Sequence, residues 1–167
     1  MTAAADALER ASDPLAVSVK LADVSYLVVR GPGGAEEVPA DGHRVRMIVE
    51  ALDPPAVVLT ELRPVVLTRR PRAGGLLPHH GAVPVRPFAV RLDEDPPRLD
   101  QLGDAGFPFK VTPDDPEVLD LTVHTATADV RWVLELDWTC AGRSGTRRVD
   151  LGGQPFRTMA RPGDDPQ

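Results

Sequence analysis

The side chains with the most chemistry in this sequence fall between residues 62 and 120. Arg63, Arg69, Arg70, Arg72, Arg86 and Arg91 occupy a stretch that contains no acid, and residues 93–120 follow with nine acids against Arg98 and Lys110. Guanidinium groups recognise carboxylates and phosphates, and opposed charged patches speed and orient the encounter with a partner. The plainer role for such blocks is neutralisation within the chain, by exposed pairs each contributing about 0 to 1 kcal/mol. His79 and His80 stand side by side between Pro78 and Gly81. Adjacent imidazoles can ligate a metal only with further His or carboxylate partners, and the nearest carboxylates in sequence are Glu61 and Asp93. The pair therefore reads as solvated loop residues. Together with Arg69, Arg70 and Arg72 it makes up the expected partner-binding set, and no metal ligand is assigned.

Two acidic clusters, Asp93-Glu94-Asp95 and Asp114, Asp115 and Glu117, sit in proline-flanked turns. A calcium loop takes several such oxygens, but its Asp-x-Asp-x-Asp-Gly spacing with a distal Glu is absent, and turns favour Asp in any case. Ser12, Ser18, Ser25, Ser144 and Cys140 are the available nucleophiles. None stands in a Gly-x-Ser-x-Gly elbow, and Cys140 falls on an apolar strand face, as an inert core thiol does. Gly31-Pro32-Gly33-Gly34 lacks the lysine and the following helix of a phosphate-binding loop. No catalytic residue is assigned, and a non-enzymatic role is expected. His43 and His124 read as single residues at polar strand positions. Trp132 and Trp138 share a face about 20 Å apart along a strand, which suggests one core anchor and one ring near the rim, where a Trp can anchor a partner.

These residues must be positioned by strands. The chain has 18 prolines and 14 glycines in 167 residues, which removes long helices from most of its length. Leu, Val, Ile and Phe make up about a quarter of it, above the roughly 20% below which a chain stays disordered. A short helix is expected over Ala3–Ala11, capped by Thr2 and stopped by Asp13-Pro14. From Leu15 the period is two: Val17, Val19 and Leu21 mark one strand, and Val45, Met47, Val49 and Ala51 another, with Tyr26–Val29 between them. Gly31–Gly34 reads as a loop, and so does the longer run from Arg69 to Val83. The proline-rich middle allows only short or edge strands, at Ala56–Leu62, Val65–Thr68, Val85–Leu92 and Phe107–Val111. Residues 117–151 are free of proline. Val130, Trp132, Leu134, Leu136, Trp138 and Cys140 alternate there with mostly polar residues, and Gly142–Gly145 supplies a hairpin into Thr146–Leu151. With Leu119, Leu121 and Val123 before it, this region reads as a three-stranded antiparallel meander. Phe156–Ala160 adds an edge strand.

The expected fold is all-β: an antiparallel immunoglobulin-like sandwich of about 8–10 short strands with a short N-terminal helix. It divides into a helical or disordered extension over 1–14, the sandwich over 15–161 and a disordered tail over 162–167. The segments Asp129–Trp138, Gly142–Gly145 and Gly152–Thr158 resemble the C-terminal end of a group of uncharacterised actinobacterial proteins, with a Trp-bearing strand, a glycine hairpin and a terminal Gly-x-Pro-Phe-Arg-Thr. That resemblance covers residues 129–158; it implies a β-rich accessory domain and carries no catalytic residues across.

Net charge of -6 and a pI near 5.2 argue against a general nucleic-acid binder, which needs a surplus of Lys and Arg. A single cysteine allows no internal disulfide or multi-cysteine metal site. No apolar run is long enough to span a bilayer, and the first residues lack the basic and apolar regions of a signal peptide, so a cytoplasmic location is expected. The expected function is a binding or adaptor module that recognises a protein through inter-strand loops, chiefly Arg69–Val83, or through a sheet edge, without a cofactor. A second copy of the chain is one partner that the opposed charges allow. The alternative is a sandwich that binds a small ligand or a metal.

Overall fold

The computed structural model describes residues 13–72, 75–77, 87–102 and 106–162. The helix expected over Ala3–Ala11 and the tail 163–167 lie outside them. The described residues form thirteen strands and no helix.

The first large sheet contains β1 (Leu15–Ala22), β4 (Arg44–Ala51), β10 (Glu117–His124), β7 (Pro87–Arg91) and β8 (Arg98–Gln101), in that order. β4 shows how the sequence makes it. Val45, Met47, Val49 and Ala51 are buried while Arg44, Arg46, Ile48 and Glu50 take the other face, and the strand pairs with β1 on one side and β10 on the other. The second large sheet has β11 (Ala128–Cys140) at its centre. β5 (Val57–Pro71) runs along one edge of β11. β12 (Arg143–Val149) and β13 (Phe156–Met159) share the other edge, and β9 (Phe109–Val111) pairs with the start of β5. The two sheets enclose one core. Met47, Leu119 and Leu121 meet Leu59, Trp132, Leu134 and Leu136 there, each fully buried and each contributing on the order of 1.5–3 kcal/mol over an exposed side chain.

A third, small sheet has the order β3 (Gly34–Pro39), β2 (Tyr26–Gly31), β6 (Gly75–Leu77). Leu27, Val38 and Ala40 pack on Met159 in a cluster of their own, and a parallel bridge from Ala40 to Met159 ties this sheet to β13.

The all-β expectation holds, with five corrections. The strands number thirteen, and β5 alone is 15 residues long. The pairing is not wholly antiparallel, because β10 and β7 run parallel. Residues 117–151 are not a meander: β10 belongs to the first sheet and only β11 and β12 form a hairpin, so the chain changes sheets at residues 125–127. Gly31–Gly34 is no open loop but a tight turn, with Gly31 and Gly34 paired and Gly34 at φ 114°. Arg69–Val83 is not one long loop, since Arg69–Pro71 continue β5 and Gly75–Leu77 form β6.

Candidate functional site

β5 carries the arginines that the sequence singled out, and its irregularities decide how it presents them. Leu59 faces Trp138 and Glu61 faces Asp137, so Thr60 is an extra residue; Val66 faces Trp132 and Thr68 faces Arg131, so Leu67 is another. Such bulges turn a strand and expose the extra residue. Thr60 is exposed, and Leu67 is 43% exposed despite its apolar side chain. The outer edge of β5 is paired by β9 only over Val57–Leu59. From Thr60 to Pro71 no strand among the described residues pairs with that edge. Pro64 sits in register with Leu134 inside the ladder; having no N–H, it is tolerated because that position can face the open edge.

Beside the open edge lies a cleft of about 360 Å³. Thr60–Pro64 form one wall, Pro97–Leu99 and Gln101 the other, and Phe88 and Phe107 the floor. The Phe107 ring lies 5.7 Å from Phe88 and 4.7 Å from Phe109, so three of the four phenylalanines meet beneath the opening. The rim is charged, but its charges are already matched. Arg63 donates to Glu135 (3.0 Å) and Asp137 (2.6 Å) and lies 3.6 Å from Glu61. The Asp137 hydrogen bond raises the Arg63 pKa, and Arg63 in turn holds Asp137 below the usual carboxylate range. Arg98 and Arg91 both donate to Asp100, at 2.7 and 2.5 Å.

Further along β5 the balance changes. Arg69 donates to the Leu92 carbonyl, which ties β5 to the residue that follows β7. Arg72 donates to the Arg161 carbonyl. Arg69, Arg70 and Arg72 are all exposed, and among the described residues none forms an ion pair with an acid. Arg70 faces Asp129 across the ladder, but Asp129 is held by Arg157 at 2.8 Å. The placement of Arg69 and Arg70 corrects the loop assignment: both lie in β5, on opposite faces, since Arg69 stands opposite the buried Val130 and Arg70 opposite Asp129. His79 and His80 lie outside the described residues. The acidic clusters of the sequence neutralise little of this patch. Asp93 caps Thr125 Oγ1 (2.7 Å) and the Ala126 N–H (2.6 Å), Asp120 pairs with Arg46 (3.2 Å) and Arg44, and Asp100 pairs with Arg91 and Arg98. No group of three or more His, Cys, Asp or Glu among the described residues is arranged to hold a metal.

No protein-family model, curated protein or solved structure matches the chain.

A second polar cluster was missed by sequence reasoning. His43 is fully buried, as is Thr158. His43 Nε2 lies 2.6 Å from Thr158 Oγ1, which also accepts the Trp132 indole N–H at 3.1 Å. Burial pushes the imidazole down to about 4. Nearby, burial favours the neutral form of Asp41, but hydrogen bonds from His124 and the Thr125 N–H, with the charges of His124 and Arg161, outweigh it and hold the carboxyl low. The signal was available: residue 43 has the parity of Val45, Met47, Val49 and Ala51, so the inward face of β4 begins at His43. With no exposed atom on His43, Thr158 or Trp132 this cluster fastens β13 to β11 and β4, and it has no route to substrate. Trp138 is likewise buried, 6% exposed, so neither Trp is the rim anchor that the sequence suggested.

Proposed function

We propose that the chain is a non-enzymatic binding module that recognises a protein partner along the open edge of β5. The observation that carries this reading is that, among the described residues, no strand pairs with the outer edge of β5 from Thr60 to Pro71, an edge that has a cleft beside Thr60–Pro64 and is followed along the chain by the exposed Arg69, Arg70 and Arg72, none of them ion-paired with a described acid. Open edges recruit extended segments, and concentrated guanidinium groups select acidic ones. Pro64 and the two bulges keep the edge from pairing indiscriminately, as native edges require. The partner therefore has to be recognised by side chains as well as by backbone. No helix among the described residues is long and apolar enough to cross a membrane, and a single cysteine suits the reducing cytoplasm that this reading assumes.

The immunoglobulin-like label belongs to the same proposal. Two sheets about one core support it, whereas the thirteen strands and the parallel β7–β10 pair depart from the seven- to nine-strand antiparallel pattern. The resemblance over residues 129–158 to actinobacterial accessory domains fits a module with no chemistry of its own. A second reading, a small-ligand site, is favoured by one observation: the cleft volume falls within the roughly 300–1,000 Å³ of ligand pockets.

The test begins with a partner captured by the tagged chain from its own cells and re-formed as a complex from purified components. The variant R70E, whose residue forms no ion pair among the described residues, is expected to weaken that complex with the melting temperature of the free protein unchanged, and R69E/R70E/R72E to weaken it at least tenfold while still unfolding in one cooperative transition. An affinity unmoved by these variants and by salt would take the site away from β5.

A further inference from the structure

We infer that the outer face of the second large sheet carries a site for a phosphate monoester on a protein segment, formed by Arg131, Arg70 and the hydroxyl of Thr68. The site goes beyond the open edge of β5. Its central residue, Arg131, belongs to β11, which is paired on both sides at that point.

The strand register builds the site. Val130, Trp132 and Leu134 of β11 turn into the core, so Arg131 between them turns outward. Arg131 is paired with Thr68 of β5 on one side and with Arg157 of β13 on the other, and two residues along the ladder Arg70 is paired with Asp129. Paired residues share a face, which sets Thr68, Arg70, Arg131 and Arg157 together on the outside of the sheet. Thr68, Arg70 and Arg131 are exposed. Arg131 and Arg70 are diagonal neighbours, roughly 8 Å apart at Cα, so both long side chains reach one anion lying between them, with Thr68 beside it as a further donor.

The charges on this face call for an anion. Arg131 stands directly opposite Arg157, and like charges in that relation repel. The neighbouring acids are committed to other cations. Asp129 accepts from Arg157 Nε at 3.0 Å and from its terminal nitrogen at 2.8 Å, Glu36 lies 2.9 Å from the same guanidinium, and Glu135 and Asp137 accept from Arg63. Arg131 and Arg70 are left without an ion pair among the described residues. Two guanidinium forks and a hydroxyl match a phosphate monoester, which carries three acceptor oxygens and a charge of about -1.5 to -2 at neutral pH. A carboxylate offers two oxygens and a single charge. The three residues stand on an open strand face outside the cleft, whereas small ligands need a concavity that encloses most of their surface. The phosphate is therefore assigned to a protein segment that spreads its remaining contacts over the face.

An array of phosphoserine, phosphothreonine and phosphotyrosine peptides, probed with the full-length protein beside the same peptides unphosphorylated, is the test. The best phosphorylated member is expected to bind at least tenfold more tightly than its unphosphorylated form. That preference should disappear in R131T and in R70T. R131K, which keeps the charge but loses the fork, should recover only part of it. The melting temperature of free R131T should equal or exceed that of the wild type, because the substitution removes a like charge from beside Arg157. No phosphate preference in the array, or a phosphopeptide bound equally well by R131T, would overturn the inference. So would displacement of the phosphopeptide, at matched ionic strength, by inorganic phosphate or by a single-stranded oligonucleotide with the peptide's own affinity, which would give the face to a free anion or to a phosphodiester backbone.

Discussion

At the scale of single residues, two buried contacts set testable costs. His43 is neutral in the fold, with its pKa lowered to about 4 from an ordinary 6.5, so the unfolded chain takes up a proton that the folded chain refuses between those values. Stability is then fully present above about pH 6.5 and falls as the pH drops toward 4, by about 3 kcal/mol in all. Urea denaturation at pH 7 and pH 4 should show that loss in the wild type and a much smaller one in H43L. Equal slopes would mean that the ring is not buried as described. Asp41 titrates below this window, because its pKa is held beneath the ordinary carboxylate value, and it does not confuse the comparison. The second contact is Gly145, which lies under the Trp138 ring: a Cβ there would sit 2.6 Å from Trp138 Cζ2. Trp138 is buried and has little room to yield, so G145A should cost about 1–3 kcal/mol in thermal or denaturant unfolding.

Among elements, the β11–β12 hairpin makes the clearest prediction. Its two-residue turn is Ala141-Gly142, with both residues at positive φ, 49° and 79°, which is the primed geometry that suits the twist of the strands. Alanine is poorly suited to that region, and Asn-Gly is the favoured pair. A141N should therefore raise stability by about 0.5–1 kcal/mol, read as an upward shift in melting temperature. The same hairpin shows what the sequence made legible. Alternation located β11, β4 and the inward set of β10 because each has one buried face, and period two survives wherever burial enforces it. β3, with Ala35-Glu36-Glu37, and β8, with Arg98-Leu99-Asp100-Gln101, left no such trace; both are edge strands, β3 mostly exposed and β8 placing only Leu99 against the core. Sequence adjacency also suggested that β10 pairs with β11, when in fact the chain crosses between sheets there. Pro64 appeared to break a strand that in fact continues for 15 residues, because a proline interrupts a strand only where both edges are paired.

For the whole molecule, charge distribution governs what binds and how fast. The acidic and basic blocks were expected either to cancel across the sandwich or to steer a partner, and the described pairs cancel them only in part. Arg63 is neutralised by acids of its own sheet and Arg91 by Asp100, which leaves the Arg69–Arg72 edge positive on a chain of net charge -6. Such a patch acts chiefly on encounter rate, so the association rate with the acidic partner should fall several-fold between about 50 and 300 mM salt while dissociation changes little, as stopped-flow mixing would resolve. The cleft end, whose arginines are already paired with acids, should govern dissociation instead. Hydrogen–deuterium exchange of the protein alone and in its captured complex tests the central claim most directly. The edge of β5 is expected to gain protection over Thr60–Arg72, together with Arg98–Gln101 across the cleft. Protection confined to other strands, with β5 exchanging as it does in the free protein, would contradict it.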